Sequence, residues 1–182
     1  MRVTKEVALS LLKESSLLDI GESADLARKS LHPEGVVTFI VDRNINYTNI
    51  CINKCRFCAF YRDMDSDDAY VLAIDELFKK IDETISQGGT QILLQGGLNP
   101  ELNIDYYTDL LRSITNRYDI NIHGFSPPEI WRLAEEHDLT IRETLEMLRD
   151  AGLDSIPGGG AEILSDRVRA ILSPRKIKTA QW

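Results

Sequence analysis

Cysteine is scarce in this chain: three residues in 182, all between positions 51 and 58. An odd number packed that closely is a poor disulfide framework, and reduced thiolates serving a metal are the better use for it. Long apolar runs are missing too. No window approaches the ~18 consecutive apolar residues that span a bilayer, so no transmembrane helix is expected. The opening Met1-Arg2-Val3-Thr4-Lys5-Glu6 has neither the apolar stretch nor the small-residue cleavage site of a secretory signal, and a cytoplasmic location is the expectation. Positive charge is in deficit, with 21 Lys and Arg against 29 Asp and Glu, a formal net charge of −8. That balance argues against a general nucleic-acid binder, which presents a basic face. Neither glycine nor proline is in excess, and no internal repeat or low-complexity tract occurs. What is left is the composition of one globular domain with room for a substantial core.

Hydrophobic spacing divides the chain into alternating elements. Val7, Leu11 and Leu12 form one helical stripe, and Leu26, Ala27, Ser30 and Leu31 another, before His32-Pro33-Glu34-Gly35 interrupts. Residues 1–35 are thus expected to be a helical extension. Val36-Val37-Thr38-Phe39-Ile40-Val41 has no solvent-facing period and predicts a strand buried on both faces, as in a parallel sheet. Helical spacing returns at Ile74, Leu77, Phe78, Ile81 and Ile85 and ends at Gly88-Gly89. Gln91–Gln95 predicts a second strand, Tyr106–Ile114 a helix and Ile120–Phe125 a third strand. Pro127-Pro128 opens a helix to Glu136, and Thr140 with Glu143 marks a capping box for the next, with Gly152 as its C-cap. Asp154–Pro157 is expected to end a fourth strand, and a basic helical segment containing Arg167 and Arg169 follows. Strands alternating with helices imply βαβ units on a parallel sheet. About four such units do not close a barrel, since eight strands typically need about 250 residues, so an incomplete α/β barrel over residues 36–182 is expected.

The cysteines stand in Cys51-Ile52-Asn53-Lys54-Cys55-Arg56-Phe57-Cys58, in a loop just after a predicted strand. Thiolates are the soft ligands of iron–sulfur clusters, and one tight loop lets three of them meet one cube. Three ligands leave one iron of a [4Fe–4S] cluster without a protein donor, and an open position is where chemistry happens. The competing readings are zinc, which in a structural site takes four ligands, and plain buried cysteines, which have no reason to crowd into eight positions. Several other segments fall at strand ends, where barrels hold their sites. Gln95-Gly96-Gly97 ends the second core strand and either admits a ligand to the main chain or simply turns the chain. Pro157-Gly158-Gly159-Gly160-Ala161-Glu162 lacks the lysine of a P-loop. Glu162 there either accepts hydrogen bonds from ribose hydroxyls or is a solvated glutamate opening a helix. His123, Ser126 and Glu129 at the end of the third strand are candidate substrate contacts, against the plainer readings of a rim histidine and a helix cap. The four aspartates between Asp63 and Asp68 lack the glycine and distal glutamate of a calcium loop and read as solvated.

The cysteine run, with aromatic Phe57 just before the third cysteine, resembles the signature of the radical S-adenosylmethionine (SAM) superfamily. That resemblance implies a partial parallel (β/α)6 barrel with the cluster loop after the first strand. It also implies a [4Fe–4S] cluster held by Cys51, Cys55 and Cys58, and SAM bound at the open iron. Phe57, Gln95, Gly96, Gly97 and Glu162 then become cofactor-binding residues, with the Gly-Gly turn receiving the amino end of SAM. Gln91–Leu98, Phe125-Ser126-Pro127-Pro128-Glu129-Ile130 and Ala151–Leu164 are similar to the dehypoxanthine futalosine cyclase family of the menaquinone pathway. A cyclase of that family is expected to abstract hydrogen from the ribose of dehypoxanthine futalosine and close a ring onto its benzoate. It draws its electron from a donor such as flavodoxin or ferredoxin, and neither nucleic acid nor membrane is an expected partner. The glycine-rich segment is shared with aminofutalosine synthase, which is the sister alternative. An inert metal-binding fragment is the alternative outside catalysis.

Overall fold

The computed structural model describes residues 3–182. The chain separates into two compact units, Met1–Phe39 and Ile40–Trp182.

In the first unit, α1 (Lys5–Glu14) begins where Thr4 accepts a hydrogen bond from the Val7 N–H. The second helix, α2 (Leu17–Leu31), is capped in the same way by Ser16, which accepts from the Asp19 N–H. Each cap satisfies one of the orphaned N–H groups of a first turn and contributes about 1 kcal/mol. Asp25 pairs with Arg28 and Lys29 one turn on, at 3.0 and 2.7 Å. The expected strand at Val36–Val41 does not form, and Val37 and Phe39 are 75% and 85% exposed. The ladder starts only at Asp42, opposite Gln91, and within the expected strand only Val41 is tied across, its carbonyl accepting from the Thr90 N–H at 3.3 Å. β-Branched composition favours extended chain but cannot make a strand without a partner's hydrogen bonds.

The second unit is a three-stranded parallel sheet, β1 (Asp42–Asn46), β2 (Gln91–Gln95) and β3 (Asn121–Gly124), in that order. The crossovers carry α3 (Ile74–Ser86) and α4 (Ile104–Thr115). Beyond β3 come α5 (Pro127–Glu136), α6 (Ile141–Asp150) and α7 (Asp166–Leu172). The fourth strand expected at Asp154–Pro157 is reduced to one parallel bridge, His123 with Ser155. The Asp154 and Ser155 N–H groups both bond to the Ile122 carbonyl, which leaves no regular ladder beyond them. The capping box of α6 is present, with Thr140 and Glu143 exchanging side-chain and backbone bonds.

Strand alternation gives the sheet two unlike faces. Ile45, Ile92, Leu94 and Ile122 are at most 1% exposed and join a core with Leu77 and Ile81 of α3 and Leu111 and Ile114 of α4. Burying each such side chain contributes about 1.5–3 kcal/mol. On the other face, Asn44, Leu93 and His123 stand in one register row and Asn46 and Gln95 in the next. Tyr47, Tyr107 and Phe125 pack edge to face, with centroids 5.5–6.1 Å apart, at the end of the sheet where the strands lead into their loops.

Candidate active site at the cysteine loop

β1 runs directly into the loop, and backbone bonds fix where the loop lies. The Cys51 N–H bonds to the Arg62 carbonyl at 3.2 Å, and the Arg62 N–H returns to Asn49 at 2.8 Å. Across the turn that ends β2, Ile52 N–H bonds to Leu98 and Gly97 N–H to Thr48, both at 3.0 Å. Cys55 is buried, Cys51 and Cys58 are half-buried, and all three are free thiols. Burial pushes the Cys55 thiol up, and the nearby Lys176 charge acts in the opposite sense.

The Gly-Gly turn has a steric reason that is independent of any ligand. A Cβ on Gly96 would overlap the Tyr47 ring, and one on Gly97 would overlap the Ile50 carbonyl and lie 2.8 Å from Cys51 Cβ. Only glycine lets β2 end against the cysteine loop. Beneath the turn lies a buried carboxylate. Tyr47 donates its hydroxyl proton to Glu129 Oε1, Ser126 donates to Oε2, and the Gly96 N–H donates as well. Glu129 is 4% exposed, and burial raises its pKa from 4.5 to about 7 despite these donors. The preceding Phe125 holds φ at +61°, a conformation costly for a bulky residue, as the chain turns from β3 into α5.

These elements enclose a cavity of about 500 Å³. Its wall includes Cys51, Cys55, Cys58 and Phe57 from the loop and Gln95, Gly96 and Gly97 from the turn. Glu129 lines it from α5 and Ser126 from the N-cap of that helix, and Gly159, Gly160, Glu162 and Lys176 from the C-terminal segment. Among the described residues no three His, Cys, Asp or Glu side chains converge as ligands of one metal ion do. A cubane makes a different demand, one thiolate at each of three separate irons. Three soft donors around an open cavity fit it by donor type.

The sequence matches the radical SAM superfamily over residues 45–182. The chain belongs to that superfamily. Its relatives include the cyclic dehypoxanthine futalosine synthase of Halalkalibacterium halodurans, 48% identical over 182 residues, covering all of this chain and 49% of the relative. The 5-amino-6-(D-ribitylamino)uracil–L-tyrosine 4-hydroxyphenyl transferase of Methanocaldococcus jannaschii is 42% identical over 185 residues, covering 99% of this chain and 51% of the relative. The chain therefore spans about half the length of these curated relatives. The crystal structure of HydG, a maturase of the [FeFe]-hydrogenase, superposes with a TM-score of 0.70 at 18% identity. It covers 98% of this chain and 38% of HydG, and the likeness is one of fold. Radical SAM enzymes use a [4Fe–4S] cluster and SAM. No helix among the described residues is long and apolar enough to cross a membrane.

Of the site residues expected from sequence, all but His123 line this one cavity of the radical SAM fold. His123 stands on the polar sheet face, its Nδ1 2.7 Å from Ser155 Oγ. Glu162 is held by Lys176 and lies 3.8 Å from Arg169. Three participants escaped the sequence reading. Tyr47 had no signal of its own beyond following β1. Lys176 sits 5.7 Å from the Phe57 ring centroid, in a segment whose sequence reads only as basic and helix-prone. Arg169, 3% exposed, donates to the carbonyls of Gly160, Ala161, Ile163 and Ile177 and so shapes the glycine-rich wall.

Proposed function

We propose that this chain carries the cluster- and SAM-binding part of a dehypoxanthine futalosine cyclase in the futalosine route to menaquinone. The observation that supports this most is one cavity walled by three closely spaced thiols and a Gly-Gly turn, in a chain 48% identical along its whole length to such a synthase. Cys51, Cys55 and Cys58 hold the cluster. A [4Fe–4S] cluster held by these three thiolates would supply the electron for reductive cleavage of SAM, the chemistry by which a cyclase of this family would start ring closure of dehypoxanthine futalosine.

The chain's own residues bind, orient and exclude water. The Gly96 carbonyl is left to take the amino end of SAM, since Glu129 and Thr48 occupy the Gly96 and Gly97 N–H groups and the Asn99 N–H occupies the Gly97 carbonyl. Phe57 and Lys176 close one side of the cavity, and Glu162, fixed by Lys176 and Arg169, takes ribose hydroxyls. Ser126 and Glu129 spend their polar atoms on each other, Tyr47 and Gly96. They therefore shape the floor against which substrate rests. His123 keeps Nε2 for a substrate oxygen, since Ser155 occupies Nδ1. A dry, shaped cavity protects a carbon radical from side reactions. A flavodoxin or ferredoxin supplies the electron.

The 42% identity to the hydroxyphenyl transferase favours a second reading, a radical reaction on tyrosine and 5-amino-6-(D-ribitylamino)uracil. One experiment separates them. The chain is reconstituted anaerobically with iron and sulfide, given SAM and reductant, and offered each substrate set in turn. Cyclic dehypoxanthinylfutalosine by mass spectrometry is the expected product. Product from the tyrosine pair alone overturns the cyclase assignment, and 5′-deoxyadenosine from neither set overturns both.

A further inference from the structure

The turn that ends β2 leaves one carbonyl over. The Gly97 carbonyl accepts from the Asn99 N–H at 3.0 Å, closing a three-residue turn about Leu98. The Leu98 carbonyl accepts from the Ile52 N–H at 3.0 Å. The Asn99 carbonyl accepts from Arg132 Nη1 and, at 3.3 Å, from the Leu102 N–H. Among the described residues the Gly96 carbonyl accepts from nothing, and Gly96 lines the active-site cavity.

The turn is gripped from two sides. The cysteine loop holds it through the bonds of Thr48 and Ile52. Helix α5 holds it through two side chains one turn apart, Glu129 on the Gly96 N–H and Arg132 on the Asn99 carbonyl. Arg132 is 8% exposed, and a guanidinium is costly to bury unless its donors are met. Glu136 takes Nε at 2.8 Å and Nη2 at 2.6 Å, so the rigid fork aims Nη1 at Asn99. A bond closing only three residues is bent, and bent hydrogen bonds are weak. The Gly97 carbonyl therefore stays turned toward Asn99 only while Asn99 itself is fixed, and a charge-assisted bond from Arg132 fixes it.

We propose that Arg132 is a positioning residue for SAM: by holding Asn99 it keeps the Gly97 carbonyl engaged, so that the Gly96 carbonyl is the one acceptor the turn leaves for the amino group of SAM. The inference deepens the proposed function and rests on its placement of SAM against this turn. Neither Arg132 nor Asn99 lines the cavity, so Arg132 reaches the ligand only through the turn. With Asn99 released, nothing in glycine itself would hold the Gly97 carbonyl in place, and the Gly96 carbonyl would lose its fixed direction. The loss would fall on recognition of the amino group and spare the adenosine and the sulfonium.

The test is anaerobic isothermal titration calorimetry on the cluster-loaded wild-type chain, Arg132→Gln and Arg132→Lys, with heats normalised to cluster content. Each is titrated with SAM and with deamino-SAM, the same sulfonium without the α-amino group. Arg132→Gln should bind SAM about tenfold more weakly than wild type and deamino-SAM within about twofold of it. Arg132→Lys, which keeps the charge but not the fork, should fall between for SAM, and it decides alone if Arg132→Gln does not fold. Equal weakening toward both ligands overturns the positioning role, as does weakening toward neither. A wild type that binds SAM no better than deamino-SAM overturns the Gly96 carbonyl as the amino acceptor, and the proposal with it. A cluster-loaded wild type that binds neither ligand overturns the proposed function itself, a separate result.

Discussion

Glu129 offers a measurement of what the site costs the fold. Its carboxyl is buried, and burial raises its pKa from 4.5 to about 7, against donors at Ser126, Tyr47 and Gly96 that act to lower it. Between those two values the folded chain binds a proton that the unfolded chain has released. Stability must therefore fall as pH rises through this window. The contribution is fully present below pH 4.5, where both states are protonated, and is lost once pH passes about 7. A shift of this size, at about 1.4 kcal/mol per unit, amounts to about 3 kcal/mol. Glu129→Gln keeps the shape but has no proton to lose, so the difference between wild type and variant isolates this one group from every other titration. Urea unfolding of the cluster-free chain, followed by circular dichroism from pH 5 to 8, gives that difference. Wild type should lose about 2–3 kcal/mol relative to the variant across the range. A difference that stays flat within about 0.5 kcal/mol refutes the buried, proton-holding carboxyl.

Other outcomes follow from the same geometry. Replacing Cys51, Cys55 or Cys58 with Ala should each abolish cluster retention and SAM cleavage together, and a variant that still yields 5′-deoxyadenosine shows that its cysteine is not a ligand. Gly97→Ala forces a methyl into the Ile50 carbonyl and against Cys51. It should cost about 1–3 kcal/mol in thermal unfolding and loosen the cluster, whereas a variant with unchanged melting and cluster content would refute the packing argument. Arg169→Met strands four carbonyls that now share one buried guanidinium. It should cost about 3 kcal/mol or more and open the 158–163 segment to proteolysis, and wild-type resistance there would show that the wall is held by something else.

What the sequence discloses depends on how local the cause is. The cysteine run is legible because a cluster's ligands can all come from one loop, so their spacing carries the chemistry without knowledge of the fold. The capping box at Thr140 and Glu143 is legible for the same reason, both partners lying within one helical turn. The alternation of strands and helices survives because each amphipathic stripe is read within its own helix. Val36–Val41 fails the other way. Its composition is that of a strand, but whether it becomes one depends on a partner that begins at Gln91, some fifty residues later.

The floor of the site is the clearest case of a feature that no local pattern encodes. Tyr47 and Glu129 are 82 positions apart, and neither is unusual where it stands. Tyr47 looks like an aromatic after a strand and Glu129 like an ordinary acid in a first helical turn, where carboxylates are favoured. The sheet brings them together: β1 and β3 flank β2, so the residues that follow β1 and β3 meet across the turn that ends β2. There Gly96 has no side chain to separate the Tyr47 ring from the Glu129 carboxyl. A carboxyl in that position loses its water, and its proton affinity rises as a consequence of topology rather than of its neighbours in sequence. The same crossing places the Gly-Gly turn against Cys51, so the residues that set the proton affinity of Glu129 also set the wall of the cluster loop.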